Sequence, residues 1–317
     1  MKRLSFFLSF FLFFLSFFFF SFLFSLTFFS LCCNKHPKIA VVIGGNRGIG
    51  FEVARGLART LPGGSTVYLT ARDAAQGEAA AAELRAAGLQ VRALALDLAD
   101  ASTVEAAADT LAKAHGGVDV LVLSGAYAAK ADAPAATYAR AMIATNNFGT
   151  HQVLRAFRPL LRAGSRFTVV ASGFGTLSGL SPDLQTRLDT AASFDDLAQV
   201  LEQYVQSAER GTEAADGFPV VFNKMSKVGQ VAAVRILHRQ LHADPNTPPG
   251  VVVRAVCPGW TVTASAQPFL DASPELRSRA KVSPTILGKT TKKKKKKKKG
   301  GGGGGGGGEG GRGGGEG

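Results

Sequence analysis

Between a β-branched apolar run at 38–43 and a helically spaced stretch at 51–60, the chain places Gly44-Gly45-Asn46-Arg47-Gly48-Ile49-Gly50. Glycine permits a tight turn and lets a bulky anion approach the backbone closely. A helix that starts directly afterwards offers unpaired N–H groups and a partial positive charge. Three glycines alone say little. Spaced Gly44-x3-Gly48-x-Gly50 between a strand and a helix, they read as a dinucleotide diphosphate turn.

The same alternation continues along the chain. Further strands are expected at 65–70, 91–96, 118–123, 167–171 and 251–256. Helices are expected at 73–87, from a Ser102–Glu105 capping box to His115, at 136–161, 195–211 and 220–241, with Gly88 as a helix stop. Strands joined by crossover helices pair in parallel and are covered on both faces. Ligands of such a sheet sit beyond the carboxyl ends of its strands. The domain spans 37–288, with a helical insert at about 176–216.

The turn Gly44–Gly50 resembles the cofactor turn of the short-chain dehydrogenase/reductase family, with Ile43 where a threonine hydroxyl usually stands. The resemblance implies an α/β, Rossmann-type doubly wound parallel sheet; six strands are evident and a seventh is not. Gly44, Asn46, Arg47, Gly48, Ile49 and Gly50 become the diphosphate-side candidates. The second strand ends Leu69-Thr70-Ala71-Arg72, without the carboxylate that would bind an NAD ribose. Arg72, with Arg47 as a second cation, can pair with a 2′-phosphate, so the expected cofactor is NADP. A solvated charge is the competing reading of Arg72. Asp97-Leu98 stands where the family's Asp accepts from the adenine amino group; a helix cap is the alternative for Asp97. Leu123-Ser124-Gly125-Ala126 occupies the place of the family's Asn-Asn-Ala-Gly.

The family's proton transfer uses Asn, Ser, Tyr and Lys. Thr145-Asn146-Asn147-Phe148-Gly149-Thr150 is similar to the segment carrying the Asn, the strand ending at Ser172 to that carrying the Ser, and Ser226-Lys227-Val228-Gly229 to that carrying the Lys. Asn146, Ser172 and Lys227 are therefore the catalytic candidates, with Lys227 also holding the nicotinamide ribose. Pro258-Gly259-Trp260 resembles the turn after the sixth strand and brings Thr263 to the carboxamide or a phosphate. Four residues before Lys227, where the family has Tyr, stands Asn223. An amide is no practical acid near neutral pH, and losing a general acid costs on the order of 10²–10⁴ in rate. Of the remaining phenols, Tyr68 reads as core; Tyr127 either packs or reaches a substrate. The long insert resembles that of monomeric carbonyl reductases, where it covers the face other members use to dimerise. Two functional classes follow: an NADPH-dependent reductase of aldehydes or ketones, or a non-catalytic NADP(H)-binding protein.

Composition matters at the ends. The net charge of +14 divides into +8 in the tail at 289–317, +3 in residues 1–36 and +3 in the core. The core therefore has no basic footprint for nucleic acid. Cys32, Cys33 and Cys257 form neither a disulfide framework nor a metal-type spacing, which suits a reducing, cytoplasmic-type compartment. Residues 5–31 are long and apolar enough to anchor in a membrane, with Cys32 and Cys33 placed for acylation. Equally, their Phe, Leu and Ser read as a translated pyrimidine tract, and the Lys/Gly-rich end as a purine tract. That end is expected to be disordered. Residues 264–288 are shorter and more polar than the helix and strand with which the family closes its substrate pocket.

Overall fold

The computed structural model describes residues 36–127, 134–221, 223–259, 261 and 263. The apolar run at 5–31, the pocket-closing segment at 264–288 and the Lys/Gly tail lie outside them, as do Phe222 and Trp260.

Six strands form one parallel sheet in the order β3-β2-β1-β4-β5-β6: β1 Ile39–Ile43, β2 Thr66–Ala71, β3 Val91–Ala95, β4 Val118–Leu123, β5 Leu161–Val170 and β6 Val252–Val256. The order reverses between β1 and β4, which is where such sheets open a ligand crevice. Alternate residues feed two cores. Val41, Ile43, Leu121 and Leu123 face one side, and Ala40, Val42, Val120 and Val122 the other. Both faces are dry, so β1 and β4 need continuous apolar runs.

The second face is covered by α1 Gly48–Thr60 and α2 Ala74–Ala86. The first is covered by α3 Ala101–His115, α4 Ala135–Ile143, α5 Gly149–Phe157, α7 Phe194–Arg210 and α8 Lys224–Ala243. The insert also forms α6 Pro182–Thr190, which the sequence pattern did not announce. Ser193 and Asp196 close a capping box at the start of α7. Among the described residues, no helix is long and apolar enough to cross a membrane.

Four expectations are corrected. The stretch 136–161 is not one helix: a π-turn, Ala144–Phe148, separates α4 from α5, and the chain enters β5 at Leu161 after a short 3-10 turn. Asp100, not Ser102, caps α3, accepting from the Ser102 amide at 2.9 Å; an Asp two residues earlier reaches the free amides first. Asp97 is accordingly no helix cap; its Oδ1 accepts from the Ala99 amide at 3.0 Å. The helix expected from 220 starts only at Lys224, because Asn223 adopts φ 62 and ψ −2, outside the helical region.

Candidate active site

The glycine turn Gly44–Gly50 is built by backbone demands that glycine alone meets. Gly44 has φ 76, and a Cβ there would lie 2.4 Å from the Gly125 Cα; a Cβ on Gly50 would lie 2.1 Å from the Gly44 carbonyl oxygen. The amides of Ser124 and Gly125 both donate to the Ile43 carbonyl at 2.9 Å, locking β4 to the turn. The turn is held from the next strand. Buried Thr70 accepts from the Gly44 amide with its Oγ1 at 3.3 Å, and its carbonyl accepts from the Gly45 amide at 3.0 Å. Ile43 itself is buried core.

At the mouth of the turn, Arg47 and Gly48 are exposed, no side chain caps α1, and its first turn has no carboxylate to repel an anion. Ile49 is half-buried on the same first turn. Asn46 reaches across to Gln76, with Nδ2 3.5 Å from Oε1. Thr263 leans over the turn, its Cγ2 3.6 Å from where a Cβ of Gly48 would stand. Arg72 is exposed beyond β2, while its neighbour Asp73 is committed to capping α2 through the amides of Ala75 and Gln76. Leu98 is buried, its side chain packed towards Gly125 and its carbonyl against Gly149. Pro258 and Gly259 follow β6, with the Gly259 amide donating to the Cys257 Sγ.

The catalytic candidates converge on the same sheet edge. Asn146 sits in the π-turn, fully buried. Its Oδ1 accepts from the Tyr127 amide at 2.6 Å, and its Nδ2 donates to the Ser226 hydroxyl at 3.0 Å. It thus ties the segment after β4 to α8. Tyr127 packs against the main core, and Tyr68 is buried with its hydroxyl 2.8 Å from His115 Nε2.

Ser172 lies two residues past the end of β5 and caps a 3-10 turn, Gly173–Gly175, accepting from the Phe174 amide at 3.3 Å. That turn presses on α8: a Cβ on Gly175 would lie 2.6 Å from Val231 Cγ2 and 3.3 Å from the Lys227 carbonyl. Lys227 is 8% exposed; its Nζ donates to Gln230 Oε1 at 2.9 Å and points to the Val170 carbonyl at 3.5 Å. Burial pushes its ammonium down to about 8, with the Cys257 thiol a smaller opposing influence.

One turn of chain before Lys227, Asn223 is the sole non-glycine residue with positive φ among the described residues. Its side chain caps nothing, and its Oδ1 is buried without a partner. Asparagine tolerates this left-handed conformation better than most side chains.

With this geometry in hand, the comparisons decide the family. The short chain dehydrogenase family model matches residues 38–179. The chain is 34% identical over 242 residues to human (Homo sapiens) carbonyl reductase [NADPH] 1, covering 75% of this chain and 86% of that protein. The rabbit (Oryctolagus cuniculus) protein of that name is 33% identical over 243 residues, covering 75% and 87%. This chain belongs to the short-chain dehydrogenase/reductase family. Salutaridine reductase from Papaver somniferum shares the fold, with a TM-score of 0.62 at 24% identity, covering 72% of this chain and 88% of that one.

Several residues that touch the candidate site were not legible in advance. Thr70 reads as an ordinary strand residue, and its service to the turn depends on β2 lying beside β1. Ser226 was visible within a motif, but not as the partner of Asn146. Gln230 was missed altogether. Its one signal is a long polar side chain on the buried face of α8.

Proposed function

We propose that the chain is an NADPH-dependent carbonyl reductase that has lost its phenolic acid and therefore reduces aldehydes or ketones slowly. The observation that carries this reading is the convergence of the π-turn, the end of β5 and the head of α8 beside the diphosphate turn, with Asn223 at the proton-donor position.

The residues fit NADP. Gly44, Asn46, Arg47, Gly48, Ile49 and Gly50 would take the diphosphate, because an added Cβ at Gly44 or Gly50 would collide with backbone. Exposed Arg72 and Arg47 would pair with the 2′-phosphate. Asp73, the nearest carboxylate to the end of β2, is occupied with its helix, which disfavours recognition of a bare 2′-hydroxyl. Asp97 keeps one carboxylate oxygen for the adenine amino group, over the packing of Leu98. Pro258, Gly259 and Thr263 would flank the nicotinamide and phosphates. When bound, the cofactor supplies the hydride.

The chain's own contribution is positioning. The Ser172 hydroxyl would polarise the substrate oxygen. Lys227 would hold ribose hydroxyls with its ammonium. Asn146 would keep the π-turn, the segment after β4 and α8 in register. No phenol stands at position 223, so the proton would come from water, at the cost of about 10²–10⁴ in rate noted for a missing general acid. Phe174, 41% exposed, and Val221, 48% exposed, flank this mouth in sequence and favour an apolar carbonyl compound.

A monomer is also proposed. Support comes from the way α7 lies against α4, through Arg140 paired with Glu209 and Glu202, and against α5, through Phe194 stacked on His151. Gel filtration at the mass of one chain is the expected result.

The second reading, an NADP(H)-binding protein without catalysis, is favoured by the left-handed backbone at Asn223. Titration of NADPH fluorescence, followed by loss of nicotinamide absorbance with quinones and aldehydes, tests both. Saturable binding with slow turnover is expected. Binding with no turnover selects the second reading, brisk turnover refutes the missing-acid argument, and absence of saturable binding removes both.

A further inference from the structure

Lys227 is a buried cation of the site, yet among the described residues no carboxylate pairs with it. Its ammonium is met instead by a neutral amide from its own helix. Gln230, three residues on and on the same face, is 1% exposed. Its Oε1 accepts from Lys227 Nζ at 2.9 Å. Its Nε2 donates to the Asn146 carbonyl at 3.2 Å and lies 3.5 Å from the Thr150 hydroxyl. The amide can face only one way. The Asn146 carbonyl only accepts and the ammonium only donates, so nitrogen must point to the first and oxygen to the second. Asn146 accepts at the same oxygen from the Thr150 hydroxyl at 2.5 Å, which anchors the far end of the bridge in the π-turn.

We infer that Gln230 is a positioning residue for Lys227: its side-chain amide ties the lysine head to the π-turn carbonyl of Asn146 and holds the charged form in place. An apolar side chain of similar size would leave the buried ammonium with only the marginal 3.5 Å approach to Val170. A half-satisfied buried charge is costly and gives up its proton. Other groups facing Lys227 do not take over this role. From β5 comes the Val170 carbonyl; the Asn146 carbonyl and Thr150 hydroxyl, from the π-turn and α5, meet Gln230 rather than the lysine, and all three are neutral. The Cys257 thiol after β6 is the titratable group acting on it among the described residues, and Lys224 on the same helix turns towards Gly179. The bridge stands on geometry alone. Its consequence for the cofactor rests on the reading of Lys227 as the cation that holds NADPH.

The test is a side-chain NMR titration of Lys227 in apo protein carrying isotope-labelled lysine, assigned with Lys227→Met. Gln230→Leu should lower the midpoint, since the acceptor is gone; Gln230→Met serves if the leucine variant does not fold. Gln230→Glu should raise it by about 1–3 units, as an adjacent opposite charge does. Midpoints that stay at the wild-type value, or move the same way in both variants, overturn the inference. In parallel, NADPH affinity of Gln230→Leu at pH 8 should fall about tenfold and recover at lower pH, where the ammonium regains its proton. An equal loss at every pH means packing alone and also overturns it. If wild-type protein binds no NADPH, the functional reading fails while the apo titration still judges the bridge.

Discussion

The glycine turn and the head of α8 share one edge of the sheet but meet their conformational demands in different ways. At the turn, positive φ is taken by Gly44 and Gly48, and close backbone contacts by Gly44, Gly50 and Gly125. The Gly44 amide is held by the Thr70 hydroxyl from the neighbouring strand. At the head of α8, positive φ falls on Asn223, whose Oδ1 is left buried without a partner. By contrast, Asn146 is bonded to Ser226, and Lys227 is linked to Asn146 by way of Gln230. Under the proposed reading, a site's scaffold and its proton donor part company here. The scaffold is enforced by backbone sterics and core packing, and the donor by chemistry alone.

The sharpest way to break the contrast is to restore the donor. Asn223→Tyr should raise carbonyl reduction by about 10²-fold or more, with NADPH affinity little changed, measured as initial rates at saturating NADPH. An unchanged rate would show that the two regions differ in more than one side chain. The left-handed backbone opposes this substitution by about 1–2 kcal/mol, so a small drop in melting temperature should accompany the gain.

Gly44→Ala attacks the other region. The Cβ meets Gly125 at 2.4 Å on a backbone with φ 76. Strain and overpacking together should cost about 3 kcal/mol, shared between folding and NADPH binding, read by thermal melts and fluorescence titration. Undiminished binding would mean that the turn is not the diphosphate seat.

The smaller effects concern charge and strain. The folded-state value of Lys227 lies at about 8, below the ordinary lysine value. Its charge is therefore present below that pH and lost as pH rises through it. NADPH affinity should fall about tenfold between pH 7 and 9. Stability has the opposite sign, rising with pH between about 8 and the unfolded lysine value, because there the unfolded chain binds the extra proton. Asn223→Gly should change stability least, by a few tenths of a kcal/mol in the stabilising direction, since glycine takes positive φ freely. A marked loss of stability would show that the amide makes a contact worth keeping.

Much of the fold was legible because it is written in short-range patterns. Val118–Leu123 has the expected bounds, and the other strands shift by a few residues, β5 alone beginning much earlier. The π-turn was not legible. The apolar spacing of 136–161 runs smoothly through it, and only contacts of Asn146 and Asn147 with α8 show why one extra residue is accommodated there. Gly229 completes that fit: a Cβ there would lie 2.3 Å from Asn147 Nδ2. The late start of α8 was equally hidden, since asparagine is compatible with both a helix interior and a left-handed turn.

By itself, the chain's order of residues determined the strand–helix alternation, the glycine turn and the identity of the residue four places before the lysine. Each is set by neighbours in sequence, through side-chain periodicity and backbone sterics. Only the tertiary structure decided that Thr70 serves the turn, that Asn146 bridges Tyr127 to Ser226, and that Gln230 holds Lys227 against the π-turn. Apart from the Gln230–Lys227 contact within one helix, these bonds join residues brought together by the order of strands in the sheet. Long-range hydrogen bonds leave no periodic trace, and a buried amide reveals its purpose only when both of its partners are in view.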